Sequence, residues 1–101
     1  MENILIVKDK EVIEVSKRAV EVWGIDAQLT QICEECGETV VAVCKRNRKS
    51  NGSTKKEMIS EFVDLELMVA QMKIIFQEDM AFWEEEKRRK IDKTKARLNK
   101  N

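Results

Sequence analysis

The chain has 101 residues, enough for one domain with a modest core. Lys+Arg and Asp+Glu are both 19, so the net charge is zero. Hydrophobic residues make up 43% and charged residues 38%, with no proline and three glycines, a composition of amphipathic helices and not of a disordered chain. From Glu84 onward there are eight basic and four acidic residues, a positive excess confined to one segment and narrower than a nucleic-acid footprint. No apolar stretch is long enough to span a bilayer, and MENILIVKDK lacks a basic leader and a cleavage pattern. The expectation is a cytoplasmic protein with no membrane or nucleic-acid polymer as partner and with reduced thiols.

The pattern predicts four antiparallel helices, an all-α fold of four-helix bundle type occupying residues 1–101 as one domain. Residues 1–7 read either as an N-terminal arm or as an extension of the first helix. That helix is expected over about 8–22, where Val12, Val15, Ala19 and Val22 follow helical spacing and Gly24 supplies the stop. Asp26 is the expected N-cap of a second helix running to about Lys49. Its apolar stripe is Leu29, Ile32, Cys33, Cys36, Val40, Val43 and Cys44, which assigns the cysteines to the core. RNRKSNGST is a polar loop, spanning 50–54 at its end. Thr54 and Glu57 fit a capping box opening a third helix to about Phe76. A fourth helix is expected from about Glu78 to Leu98, with Phe82 and Trp83 as packing or subunit contacts.

The third helix is apolar on nearly every side, the mark of a helix buried all round, and in so small a chain this calls for a partner subunit. Glu61 and Asp64 lie in it, three apart on one face and expected to be buried. The second helix carries Glu34, Glu35 and Glu38 away from its apolar stripe. If the two helices form an antiparallel hairpin, Glu35, Glu38, Glu61 and Asp64 converge, and carboxylates that close repel unless a cation meets them. Oxygen-only ligands and the absence of histidine suit Mg²⁺, with Mn²⁺ an alternative, over zinc or iron.

Glu34-Glu35-Cys36-Gly37-Glu38, then 22 residues, then Glu61-Phe62-Val63-Asp64 resembles the E-E-x-x-E…E-x-x-D pattern of the MazG-like, all-α nucleoside triphosphate pyrophosphohydrolases. WGIDAQLTQICEECGETVVAV, EFVDLELMVAQM and KIDKTKARL resemble the surrounding helices of that family, so the likeness covers about Trp23 to Leu98. The resemblance implies Mg²⁺-dependent cleavage of a (d)NTP between the α- and β-phosphates, giving (d)NMP and pyrophosphate, by a homodimer or homotetramer. It implies Glu35, Glu38, Glu61 and Asp64 as metal ligands and Glu34 as a further metal ligand or the group orienting the attacking water. It places Lys90 and Arg97 where the family's closing helix meets phosphate, although Thr94 stands where that family carries asparagine.

Other substrate contacts have two readings each. Lys45 and Arg46 either meet phosphates or balance a helix C-terminus. Trp23 either stacks on a base or packs. Gln28 and Gln31, one and two turns before the acids, can reach a nucleotide. A family member acting on phosphoribosyl-ATP or lacking activity would carry the same acids. A helical interaction module would carry no chemistry at all. Cys33-x-x-Cys36 does not make a zinc site, because Cys44 is the one remaining thiol and there is no histidine. It does not fit a thioredoxin-type pair either, which belongs in a βαβ setting.

Overall fold

A computed structural model describes residues 7–100, and these are all-helical: α1 (Asp9–Trp23), α2 (Ile25–Cys44), α3 (Lys55–Ile75), a 3₁₀ turn (Gln77–Asp79) and α4 (Met80–Leu98). No strand occurs among them. Apart from Val7, which is exposed and outside any helix, the expected N-terminal arm lies outside the described residues.

One residue, Gly24, separates α1 from α2. Its N–H donates to the Val20 carbonyl at 2.9 Å and its carbonyl accepts from Gln28 N–H at 3.2 Å, so it closes one helix and opens the next. It does so at φ +89 and ψ 158, a region open essentially to glycine alone. The expected N-cap, Asp26, lies instead inside the first turn of α2, where its charge complements the helix dipole. Helix α2 also stops earlier than expected. Lys45 is its C-cap, and the carbonyl of Lys45 then accepts from Arg48 N–H and Ser53 N–H, which closes the loop. Gly52 fits inside this turn because a Cβ there would come within 2.4 Å of the Arg48 carbonyl oxygen. The expected capping box forms at α3: Thr54 Oγ1 accepts from Glu57 N–H, and Glu57 Oε1 accepts from Thr54 N–H.

Helices α2 and α3 form an antiparallel hairpin. The side chains of Gln28 and Gln71 join by a hydrogen bond near one end, and Thr39 Oγ1 lies 3.5 Å from the Glu61 carbonyl near the middle, which together set the register. Helix α1 packs chiefly on α3 through the small residues Ser16 and Ala19. Helix α4 touches mainly the 3₁₀ turn before it, and none of its residues is buried. Its first turns are held by Trp83, half-buried, with the Lys73 ammonium 5.6 Å from the ring centroid. Phe82 is exposed.

The core is small. Among the described residues the buried apolar ones are Ala19, Ala42, Met68 and Met72, and the buried polar ones are Ser16, Gln28 and Thr39. The face of α2 turned to α3 is therefore polar and small-sided: Gln28, Glu35, Thr39 and Ala42. This corrects the expected stripe. Cys33, Cys36 and Cys44 are exposed, as are Leu29 and Val40. Ile32 and Val43 of the expected stripe are half-buried, so the helix is rotated with most but not all of that stripe outward. The expectation for α3 is corrected as well, because Ile59, Phe62, Val63, Leu67 and Val69 are exposed in the single chain. The radius of gyration, 16.9 Å, exceeds the roughly 13 Å of a compact chain this long.

The caps can be tested directly. Thr54→Ala removes the side-chain oxygen that accepts from Glu57 N–H, while the backbone N–H that donates to Glu57 stays, and should lower unfolding free energy by about 1 kcal/mol in urea titrations, without changing helix content.

Candidate functional site

The acids are placed by helical phase and register. Glu35 lies on the hairpin-facing side of α2 with Glu38 at the exposed edge of that side, and Glu61 lies on the side of α3 that also carries the buried Met68 and Met72. One carboxylate oxygen from each of Glu35, Glu38 and Glu61 lies within 4.8 Å of the others. Glu35 and Glu61 are half-buried and Glu38 is exposed. An open cleft beside them is lined by Glu34, Gly37, Glu38, Val41 and Glu61.

Two oxygens in this group, Glu35 Oε2 and Glu61 Oε2, are shielded from solvent and have no hydrogen-bond partner. Shielded carboxylate oxygens without a partner are costly, and a cation held among them could offset that cost. The other oxygen of Glu35 accepts from Gln31 Nε2 at 2.9 Å, which fixes the carboxylate's orientation. Thr39 donates to the Glu35 carbonyl at 2.8 Å and so ties the backbone of the same turn. Glu38 titrates above the ordinary range of a glutamate. The nearby Glu35 charge is the main cause, followed by Glu61, partial desolvation, Asp64 and Glu34.

Of the expected metal ligands, Glu35, Glu38 and Glu61 are thus brought together. Asp64 is exposed, not buried as expected; it adds to the field on Glu38 but stands outside the group of three. Glu34 is exposed on the cleft wall. The other expected contacts are not among the residues lining the cleft. Trp23 is 64% exposed at the end of α1, so it is not packed. Gln28 is buried and bonded to Gln71, which gives it a structural role. Arg46 donates from Nη1 to the Val43 carbonyl at 2.8 Å, the helix C-terminus role, and Lys45 is the cap itself. Lys90 and Arg97 lie on exposed α4. Gln31 stands beside the acids as the partner of Glu35.

Gly37 and Val41 are cleft residues that sequence reasoning passed over. The available signal was a glycine in the interior of a helix, where it costs about 1 kcal/mol relative to alanine. Nothing lies within 4 Å of a Cβ built at Gly37, so no neighbour within the chain requires it. A groove along α4 also carries acids, and two of them meet arginines there: Glu86 with Arg89 at 2.7 Å and Asp92 with Arg88 at 2.9 Å.

No protein-family model matches the chain, and no curated protein and no solved structure matches it either.

The raised Glu38 has a stability consequence. The folded state holds this proton more tightly than the unfolded chain, so the group opposes folding above its folded pKa and the opposition fades as pH falls toward 4.5, its ordinary value. Without divalent cations, Glu38→Gln should therefore raise the melting temperature at pH 7, and the gain should shrink on acidification. A gain that is independent of pH would contradict the repulsion.

Proposed function

We propose that the chain is a Mg²⁺-dependent nucleoside triphosphate pyrophosphohydrolase of the MazG-like, all-α type, converting a (d)NTP and water to (d)NMP and pyrophosphate. The observation that carries this reading is the meeting of Glu35, Glu38 and Glu61 across α2 and α3, with two shielded oxygens that lack a partner. The all-carboxylate donor set fits a hard divalent cation such as Mg²⁺ or Mn²⁺. Glu35, Glu38 and Glu61 would hold the ion, with Asp64 supplying further charge or a fourth ligand. When bound, the ion neutralises phosphate charge and lowers the pKa of a coordinated water.

The protein's own contribution is largely positioning, which suits phosphoryl chemistry. Gln31 keeps Glu35 in one orientation. Glu34, exposed on the cleft wall, is the candidate to accept a proton from the attacking water. Gly37 lies between Glu34 and Glu38 and leaves room for a phosphate chain to approach the helix. Lys90 and Arg97 are proposed as phosphate contacts, reached in an assembly where a helical bundle is completed by further copies of the chain. We place the enzyme in the cytoplasm as such a homo-oligomer.

The open apolar faces favour a second reading, a helical interaction module without chemistry. The readings separate in one assay: a panel of canonical and modified (d)NTPs with Mg²⁺, scored for monophosphate and pyrophosphate. The module releases neither product from any nucleotide. A phosphoribosyl-ATP hydrolase is active on that substrate instead.

Two outcomes are expected under the enzymatic reading. Mg²⁺ at a hundredfold excess over its Kd should stabilise the fold by about 2.7 kcal/mol, seen as a higher melting temperature. An unchanged melting temperature at millimolar Mg²⁺ would count against the site. Glu38→Gln and Asp64→Asn should each lower pyrophosphate release at least about a hundredfold with the fold intact. Full activity in Glu61→Ala would remove the ligand assignment.

A further inference from the structure

We infer that Gln31 is a positioning residue that makes the acidic site select a small octahedral cation over Ca²⁺, by leaving Glu35 a single free carboxylate oxygen. This rests on the cation reading of the site given above and names what decides which divalent ion it takes. Gln31 precedes Glu35 by one helical turn, so the two side chains share a face of α2. The Gln31 amide donates from Nε2 to Glu35 Oε1 at 2.9 Å. The second oxygen, Oε2, is shielded and has no hydrogen-bond partner among the described residues. Glu35 thus joins Glu38 and Glu61 with its two oxygens already divided, one held by an amide and one unmatched. Gln31 is not among the residues lining the cleft, so it acts through Glu35 and not on a ligand.

The division matters because divalent ions ask different things of a carboxylate. Ca²⁺ takes about six to eight oxygens in flexible geometry and often uses both oxygens of one carboxylate. Mg²⁺ takes about six at short range in near-ideal octahedral geometry and keeps several waters. A Glu35 with one free oxygen suits the second ion. To bind Ca²⁺ through both oxygens, Glu35 would give up the Gln31 bond and leave a half-buried amide without that partner. One oxygen each from Glu35, Glu38 and Glu61 leaves about half of an octahedron for water or phosphate oxygens.

Thr39 gives the same site a fixed width. This side chain is buried, its hydroxyl donates to the Glu35 carbonyl at 2.8 Å, and its Oγ1 lies 3.5 Å from the Glu61 carbonyl. One hydroxyl therefore stands against the backbones of two of the three glutamates. Gln31 sets the side chain of Glu35 and Thr39 sets its main chain relative to α3. Outer groups that hold ligands in this way tune the ion a site prefers, and here they oppose widening for a larger one.

The test measures ion binding on the whole protein, not turnover. Mn²⁺ alone is loaded, and its free-ion electron paramagnetic resonance signal reports displacement by added Mg²⁺ or Ca²⁺. In the wild type, Mg²⁺ should displace Mn²⁺ at roughly tenfold lower concentration than Ca²⁺ does. Gln31→Met keeps the length of the side chain and removes the donor. It should weaken Mg²⁺ about tenfold and leave Ca²⁺ nearly unchanged, so that the preference disappears. Thr39→Val should also narrow the ratio, while Thr39→Ser, which keeps the hydroxyl, should hold the wild-type value. If Gln31→Met does not fold, Gln31→Ala, a better helix former, takes its place. A wild type that binds Ca²⁺ as well as Mg²⁺ overturns the proposal, as does a Gln31 variant with the wild-type ratio. An unchanged ratio in an enzyme that releases pyrophosphate removes this role alone. A ratio that responds to Gln31, with no pyrophosphate released from any nucleotide, keeps this role and removes the enzymatic reading. Binding of no divalent ion removes both.

Discussion

Repulsion among carboxylates at the contact of α2 and α3 is the constraint around which the molecule is arranged. Glu35, Glu38 and Glu61 meet where a hairpin of this size would ordinarily place aliphatic side chains. Glu38 takes up part of the conflict by holding its proton more tightly, chiefly against Glu35. Glu35 takes up another part through Gln31, whose amide donates to one of its oxygens. The shielded second oxygens of Glu35 and Glu61 are left without a partner. Groups that cost stability in this way persist where they serve a site, and the cost has to be offset elsewhere in the fold.

The offset is hard to find inside one chain. The contact that holds the hairpin is built from Gln28, Thr39 and Ala42 against Met68 and Met72. Ala19 and Ser16 let α1 approach α3 closely but bury little area. Hydrogen bonds such as Gln28 to Gln71 give the hairpin its register more than its stability, since an internal bond replaces one to water. The apolar side chains that would ordinarily stabilise such a hairpin are on its outer surfaces. A chain that uses its inner seam for acids and polar bonds has most of its large apolar side chains on its outer faces.

That inversion also explains what could be read from the sequence. The helices were legible because their signals are local: Gly24 between α1 and α2, the Thr54–Glu57 box, and the break at RNRKSNGST. The pairing of the two acidic segments was legible because three-residue spacing fixes a face whatever lies opposite. The direction in which α2 points was not. Assigning Cys33, Cys36 and Val40 to the core assumes that the most apolar side of a helix faces its own chain, and here that side faces outward. Asp64 was misjudged for a related reason: it shares a face with Glu61, but a residue 60° from the contact line on so thin a hairpin remains in water. The Asp26 cap failed because Gly24 alone closes α1 and opens α2, which brings the start of the helix forward.

The two sides of the hairpin are therefore best understood together. The phosphate-bearing ligand and the cation proposed above would need one side open to solvent, which would leave the acids without hydrophobic cover. The opposite side, with Leu29, Cys36 and Val40 of α2 and Phe62 and Val69 of α3 flanked by Glu66 and Lys73, has no such requirement. Assembly through it would add stability without narrowing the cleft, and would hold α2 against α3 at the spacing that the three glutamates require. In that arrangement the stability of the acidic site depends on a surface that touches none of its ligands. Loss of the outer contact would loosen the hairpin where repulsion is greatest, so the acids would separate before α1 or the caps gave way.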